Sequence, residues 1–209
     1  VIGTEIAKAI DSGVIDANLV AVCDHNAASA EALIESLKKR PVRAGLEELV
    51  ELSDVVVEAA SQRAVPSIAR AALRKGRRLM IMSVGALTDA ALLEEVTRLA
   101  QAHGSQVFLP SGAISGVDGL KSASMGKIRR ITLTTTKNPR SLAGAPYIVE
   151  NNIDLDGLAG RQVIFEGSAL EAVRAFPANV NVAATLYLAG GGVDVRVKVA
   201  ADPAIDVNR

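Results

Sequence analysis

The 209 residues carry 23 Lys and Arg against 23 Asp and Glu, scattered along the chain, which excludes nucleic acid as the main partner. Hydrophobic residues make up 49% but aromatic ones only 2%, so Ala, Val, Leu and Ile must build the core, as in helices packed on a parallel sheet. The single cysteine excludes an internal disulfide and leads us to expect a cytoplasmic protein, and no apolar run reaches the length of a membrane span.

In chain order, Val1-Ile2-Gly3-Thr4-Glu5 reads as a helix entrance without a strand before it. Ile6, Ala9 and Ile10 give that helix an apolar face, and Ser12-Gly13 closes it. Residues 19–23 form a compact strand ending at Asp24, with Cys23 read as a small core residue. A helix over 28–40 turns Leu33, Ile34 and Leu37 inward and stops at Pro41, and a shorter helix covers 46–52. The strand 55–57 runs into Glu58-Ala-Ala-Ser61. The next helix starts around Pro66 and is capped by Gly76. A strand over 79–82 leads to Ser83-Val-Gly-Ala86, then to a helix capped by Thr88 or Asp89, then to a strand over 106–109. This alternation predicts a Rossmann-type doubly wound parallel sheet, its first strand missing, over residues 1–112.

The small-residue stretch Pro110-Ser-Gly-Ala-Ile-Ser-Gly-Val-Asp-Gly119 is the joint of the chain. Beyond it the pattern changes. Residues 127–136 alternate apolar and polar, 138–152 are irregular, 168–176 and 182–188 are helical, and 193–199 alternate again. These predict a second, smaller α/β domain over 113–209, a mixed sheet with helices on one side. The chain begins without Met or a first strand and stops at Arg209, so we expect a fragment cut at both ends.

Gly3 has the place of the third glycine in a dinucleotide fingerprint, where it allows close helix–strand packing. Asp24, about twenty residues on at the next strand end, is positioned to accept hydrogen bonds from ribose hydroxyls, although capping of the following helix is the competing role. The small residues Ala60 and Ser61, with Ser83-Val-Gly-Ala86, line strand ends as a trough for a flat dinucleotide. Glu58 reads either as a catalytic base, the weaker reading, or as a structural carboxylate hydrogen-bonded to a neighbouring loop. His25 and His103 read as structural or surface residues, and neither has the spaced partners of a metal site. Asn179 and Asn181 flank a helix start, where backbone N–H groups favour a carboxylate and the amides match a carboxamide.

The strings Val57-Glu-Ala-Ala-Ser-Gln62, Ser111-Gly-Ala-Ile-Ser-Gly116, Thr134-Thr-Thr-Lys-Asn138, Ile164-Phe-Glu-Gly-Ser-Ala169 and Asn179-Val-Asn-Val-Ala-Ala-Thr185 resemble those of L-aspartate dehydrogenases, from Gly3 to about Val199. The resemblance implies NAD or NADP as cofactor and oxidation of L-aspartate through iminoaspartate to oxaloacetate and ammonia, feeding NAD biosynthesis. It also implies a homodimer, with Ala113 and an Asn of the 179/181 pair touching the cofactor. Lys137 and Arg140 are candidate cations for the substrate carboxylates, or else solvated surface charges. The family's proposed catalytic histidine follows an Asn in a short segment that this chain reaches at Asn208-Arg209, so the expected His falls just after Arg209 and the fragment is expected to be inactive. Two other readings stand beside this one. One is a two-domain reductase of the homoserine dehydrogenase or dihydrodipicolinate reductase type; the other is a non-catalytic NAD-binding redox sensor. A histidine directly after Arg209 would favour the enzyme over the sensor.

Overall fold

The chain forms two units, Val1–Pro110 and Ser111–Arg209, and the computed structural model describes residues 2–177 and 181–206. In the first unit the alternating pattern becomes α1 (Ile2–Asp11), β1 (Ala21–Val22), α2 (Ala27–Glu35), β2 (Val42–Arg43), α3 (Leu46–Leu52) and β3 (Val55–Glu58). It continues with α4 (Val65–Arg74), β4 (Arg78–Ile81), a 3-10 turn at Val84–Thr88, α5 (Ala90–Ala102) and β5 (Val107–Phe108). Every strand pair is parallel: β1 with β2, and the three-stranded sheet β3-β4-β5. Parallel pairing needs helical crossovers, and α4 and α5 supply them for the three-stranded sheet. Val56, Leu79 and Ile81 are buried, as are Val65, Ala69, Ala72 and Leu73 of α4, which packs on β3 and β4, and Val96 and Leu99 of α5, which packs on α4. This is the Rossmann-type α/β arrangement.

Local chemistry sets the helix ends. The Asp89 side chain accepts from the Leu92 N–H and caps α5. Gly76, at φ +68°, ends α4. Its N–H donates to the Leu73 carbonyl at 3.0 Å and the Arg77 N–H to the Ala72 carbonyl at 3.0 Å, the pair of bonds that defines a Schellman stop. Two expectations are corrected here. Cys23 is exposed, because the strand ends at Val22 and leaves the thiol outside the ladder. The cap of α2 is Asn26, whose Oδ1 accepts from the Ala28 and Ser29 N–H groups, so Asp24 is not the capping residue.

The second unit contains α6 (Val117–Ala123), β6 (Ile131–Lys137), a 3-10 turn at Pro139–Ser141, α7 (Pro146–Glu150), β7 (Gln162–Ser168), α8 (Ala169–Ala175), α9 (Asn181–Ala189) and β8 (Val195–Ala201). β8 is central, parallel to β6 and antiparallel to β7, giving the mixed sheet that the sequence predicts. Val195, Val197 and Val199 are buried on the face that α8 and α9 cover with Ala169, Ala172, Ala183, Ala184 and Leu186. Three of the chain's five aromatic residues gather in this unit. Tyr147, Phe165 and Phe176 lie with ring centroids 5.2–5.6 Å apart, in edge and tilted contacts. Thr132, Thr134 and Arg196 lie on the opposite face and are exposed. There Arg196 and Lys198 both reach Glu166, at 2.7 and 3.3 Å.

The small-residue joint lies at the boundary of the units. Gly112 and Gly116 hold φ of +63° and +77° there, a backbone that other residues resist, and Gly116 opens α6.

Candidate functional site

In open α/β sheets ligands bind outside the carboxyl ends of the strands, so the site in the first unit is built from the residues that follow β1, β3 and β4. Asp24 follows β1. Its Oδ1 accepts from the Asn26 N–H at 2.9 Å and lies 3.0 Å from Nδ1 of the fully exposed His25. Both contacts use the same oxygen, and among the described residues Oδ2 has no protein partner. An acceptor therefore remains for hydroxyl groups outside the protein. With Asn26 acting as the cap, the competing role for Asp24 is already filled.

After β3 the chain presents Ala60 and Ser61 to solvent while Glu58 is 1% exposed. Glu58 accepts from the Ala60 N–H at 2.8 Å, the Ser83 N–H at 2.9 Å and the Ser83 hydroxyl at 2.9 Å. A carboxylate so enclosed, its oxygens engaged by protein donors, does not reach a substrate proton, so the structural reading holds and the base reading does not. α1 approaches the same turn: a Cβ at Gly3 would lie 3.4 Å from the Ala59 Cβ, at the short end of ordinary van der Waals contact. Gln62 lies over Gly85, where a Cβ would meet its Nε2 at 2.5 Å. Gly3 is thus brought to Ala59, the residue before the exposed Ala60 and Ser61. Sequence reading missed the Glu58–Ser83 tie, because Glu58 ends β3 and Ser83 lies two residues beyond β4, and only strand pairing brings them together.

These features fit a dinucleotide: a free carboxylate oxygen for ribose, small exposed residues at a strand end, and a glycine in the first turn of a helix packed close by. Among the described residues no group of three or more His, Cys, Asp or Glu could hold a metal ion. His103 is the exposed C-terminal cap of α5.

In the second unit Ala113 is exposed, and Asn181 is the exposed first residue of α9. Asn179, and the Asn208-Arg209 end that leads to the expected histidine, lie outside the described residues. The Phe165-Glu-Gly-Ser-Ala169 string has a local explanation. Ser168 caps α8 by accepting from the Glu171 N–H, and Glu171 accepts from the Ser168 N–H at 2.7 Å, a capping box. Those bonds hold the Glu171 carboxyl below the usual carboxylate range. Lys137 and Arg140 sit differently. Arg140 is exposed in the 3-10 turn, whereas Lys137, the last residue of β6, is buried, and desolvation lowers its ammonium below the ordinary lysine range.

Residues 1–110 match the family model described as homoserine dehydrogenase, NAD binding domain, and residues 118–209 match that described as aspartate dehydrogenase, C-terminal. The chain is 51% identical to the L-aspartate dehydrogenase of Methanococcoides burtonii over 209 residues, which is 99% of this chain and 77% of that protein. It is 42% identical to the enzyme of the same name from Nitrosopumilus maritimus, over 99% of this chain and 76% of that one. Among solved structures, aspartate dehydrogenase from Thermotoga maritima superposes with a TM-score of 0.69 at 29% identity, covering 92% of this chain and 82% of that one. A Thermus thermophilus dehydrogenase solved with NAD and α-ketoglutarate, at 16% identity and a TM-score of 0.59, shares the fold over 99% of this chain and 72% of that one. With both halves matched and half of all residues identical to a named relative, the chain belongs to the L-aspartate dehydrogenase family.

Proposed function

We propose that the chain oxidises L-aspartate to iminoaspartate with NAD or NADP as hydride acceptor, water then converting the imine to oxaloacetate and ammonia. The observation that carries this is the 51% identity to an L-aspartate dehydrogenase, which runs through both units. Bound NAD(P) supplies the carbon that receives the hydride; the residues of the chain bind and orient. Asp24 holds the ribose hydroxyls through its uncommitted oxygen, and Ala60 and Ser61 let the cofactor lie close to the backbone. Gly3 brings the start of α1 near the same turn. Ala113 and the Asn179/Asn181 pair supply contacts to the carboxamide end, a role resting on the resemblance and on the match of amide donors and acceptors.

A dicarboxylate substrate requires cations. Lys137 is the better supported of the two candidates, because it ends β6 as a buried side chain that packing holds in place, whereas Arg140 is exposed in the 3-10 turn. Turnover of the protein expressed from its full-length open reading frame against aspartate, homoserine and dihydrodipicolinate, followed as NAD(P)H formation or consumption, tests the proposal. Aspartate-dependent reduction with the other two inert is the expected result, and turnover of homoserine in its place overturns it.

The homodimer also stands as a proposal. It rests on the family resemblance, which implies a dimerisation role for the second unit. Sedimentation of the protein at micromolar concentration checks it, and a single species of monomer mass speaks against it. The cytoplasmic location rests on the free thiol of Cys23.

A further inference from the structure

The carboxylate of Glu58 is the one acidic side chain buried among the described residues, and Glu58 has no cation within ion-pair distance among them. Burying a carboxylate is costly unless hydrogen bonds replace its water, and here three neutral donors do so, all from two turns. Those turns follow β3 and β4, neighbouring parallel strands whose carboxyl ends open on the same edge. One oxygen takes the Ala60 N–H from its own turn together with the Ser83 hydroxyl from the other. The second oxygen takes the Ser83 N–H. The Met82 N–H also donates to the Glu58 carbonyl at 2.9 Å, so the two strand ends are joined by backbone. The Glu58 side chain adds the bonds that hold the residues beyond them, and the residue it anchors in its own turn, Ala60, is the exposed one beside Ser61.

Apolar packing holds strands together, but it does not aim a peptide group. A carboxylate with directional donors does. We infer that Glu58 is a positioning residue of the dinucleotide site, tying the β3 and β4 turns so that the Ala60–Ser61 backbone is held where the cofactor lies against it. The inference rests on the NAD(P)-binding reading given above and adds to it the residue that shapes the site from beneath. Glutamine cannot replace Glu58 here. Each of its oxygens faces a backbone N–H, so whichever side the amide NH2 takes, it opposes a donor.

The test titrates the protein with NADH and with NADPH by fluorescence, below the unfolding temperature of every variant, with that temperature measured alongside. Glu58→Gln is expected to weaken binding about tenfold, the scale of one lost charge-assisted hydrogen bond. Val50→Ala, which removes core volume from α3 in the same unit, is expected to lower the unfolding temperature while leaving affinity within about twofold. Ser83→Ala, which keeps the N–H contact and loses only the hydroxyl, is expected to weaken binding about two- to fivefold and serves if Glu58→Gln fails to fold. Unchanged affinity in Glu58→Gln, or in Ser83→Ala where that variant stands in, overturns the inference while leaving cofactor binding intact. An equal loss of affinity in Val50→Ala overturns it as well, by showing general loosening. Absence of NADH and NADPH binding by the unsubstituted protein overturns the cofactor reading and the inference with it.

Discussion

Asp24 and Lys137 show how one residue's surroundings set its chemistry. The Asp24 carboxylate spends one oxygen on the Asn26 N–H and His25 and keeps the other. Such a group accepts from the two ribose hydroxyls and repels a 2′-phosphate. Asp24→Ala should therefore weaken NAD by about ten- to a hundredfold, the range for hydrogen bonds to a charged group, and NADP by less. Equal losses in paired titrations would remove the ribose role. Lys137 answers to pH. Burial lowers its value in the folded chain below the ordinary 10.5, so between the two values the unfolded chain binds more protons. Its contribution to stability accordingly rises with pH through that window, and acid of the window the buried charge is a burden. Lys137→Met should flatten this slope in denaturant melts taken from neutral pH to pH 10, and parallel curves for the two proteins would refute it.

At the scale of the element, α8 carries the plainest prediction. It has only seven residues, too few to persist without caps and packing. Ser168→Ala removes the cap and should cost about 1 kcal/mol, a drop of roughly 4–8 °C in unfolding temperature for a unit of about a hundred residues. Ser168→Asp should keep most of that stability. Gly167 is held by the same corner: a Cβ there would stand 2.8 Å from the Phe165 ring and 2.9 Å from Glu171 Oε2. The glycine, serine and glutamate of this string therefore answer to one helix start and one aromatic ring, which sets a local origin beside the family resemblance that the string carries.

Across the whole molecule, stability should follow the centre of each sheet. β8 is paired along seven residues with β6 and along six with β7, and β4 lies between β3 and β5 with Leu79 and Ile81 fully buried. The two-residue pair β1–β2 has neither advantage, and both residues of β2 are exposed. Amide exchange should then be slowest in Val195–Ala201 and Arg78–Ile81 and fastest among the strands in Val42–Arg43. Slow exchange in β2 would contradict this ranking.

Much of this architecture was legible in the chain itself. Apolar runs bounded by Gly, Pro and acidic residues marked the alternation of the first unit, and the predicted helix over 46–52 coincides with α3 because its period is regular and its flanks are breakers. The period-two run in the Thr-rich segment announced β6, two-faced as its alternation requires, though the ladder begins only at Ile131, where Val195 pairs with it. The short-range tokens Gly76 and Asp89 were readable as stops and caps because those effects act within a few residues. Tertiary structure alone decided the rest. Cys23 looks like core in an apolar run, yet it lies one residue beyond the ladder and is exposed. Asp24 reads as a possible cap of the following helix until backbone geometry gives that role to Asn26. Lys137 and Arg140 are both cations near a strand end, separated only by which one the packed side of the sheet buries. Glu58 meets Ser83 across 25 residues of sequence, and no local pattern encodes that contact. Sequence periodicity reports which face of an element avoids water; which particular groups meet there depends on register and packing between elements, and those exist only once the chain has folded.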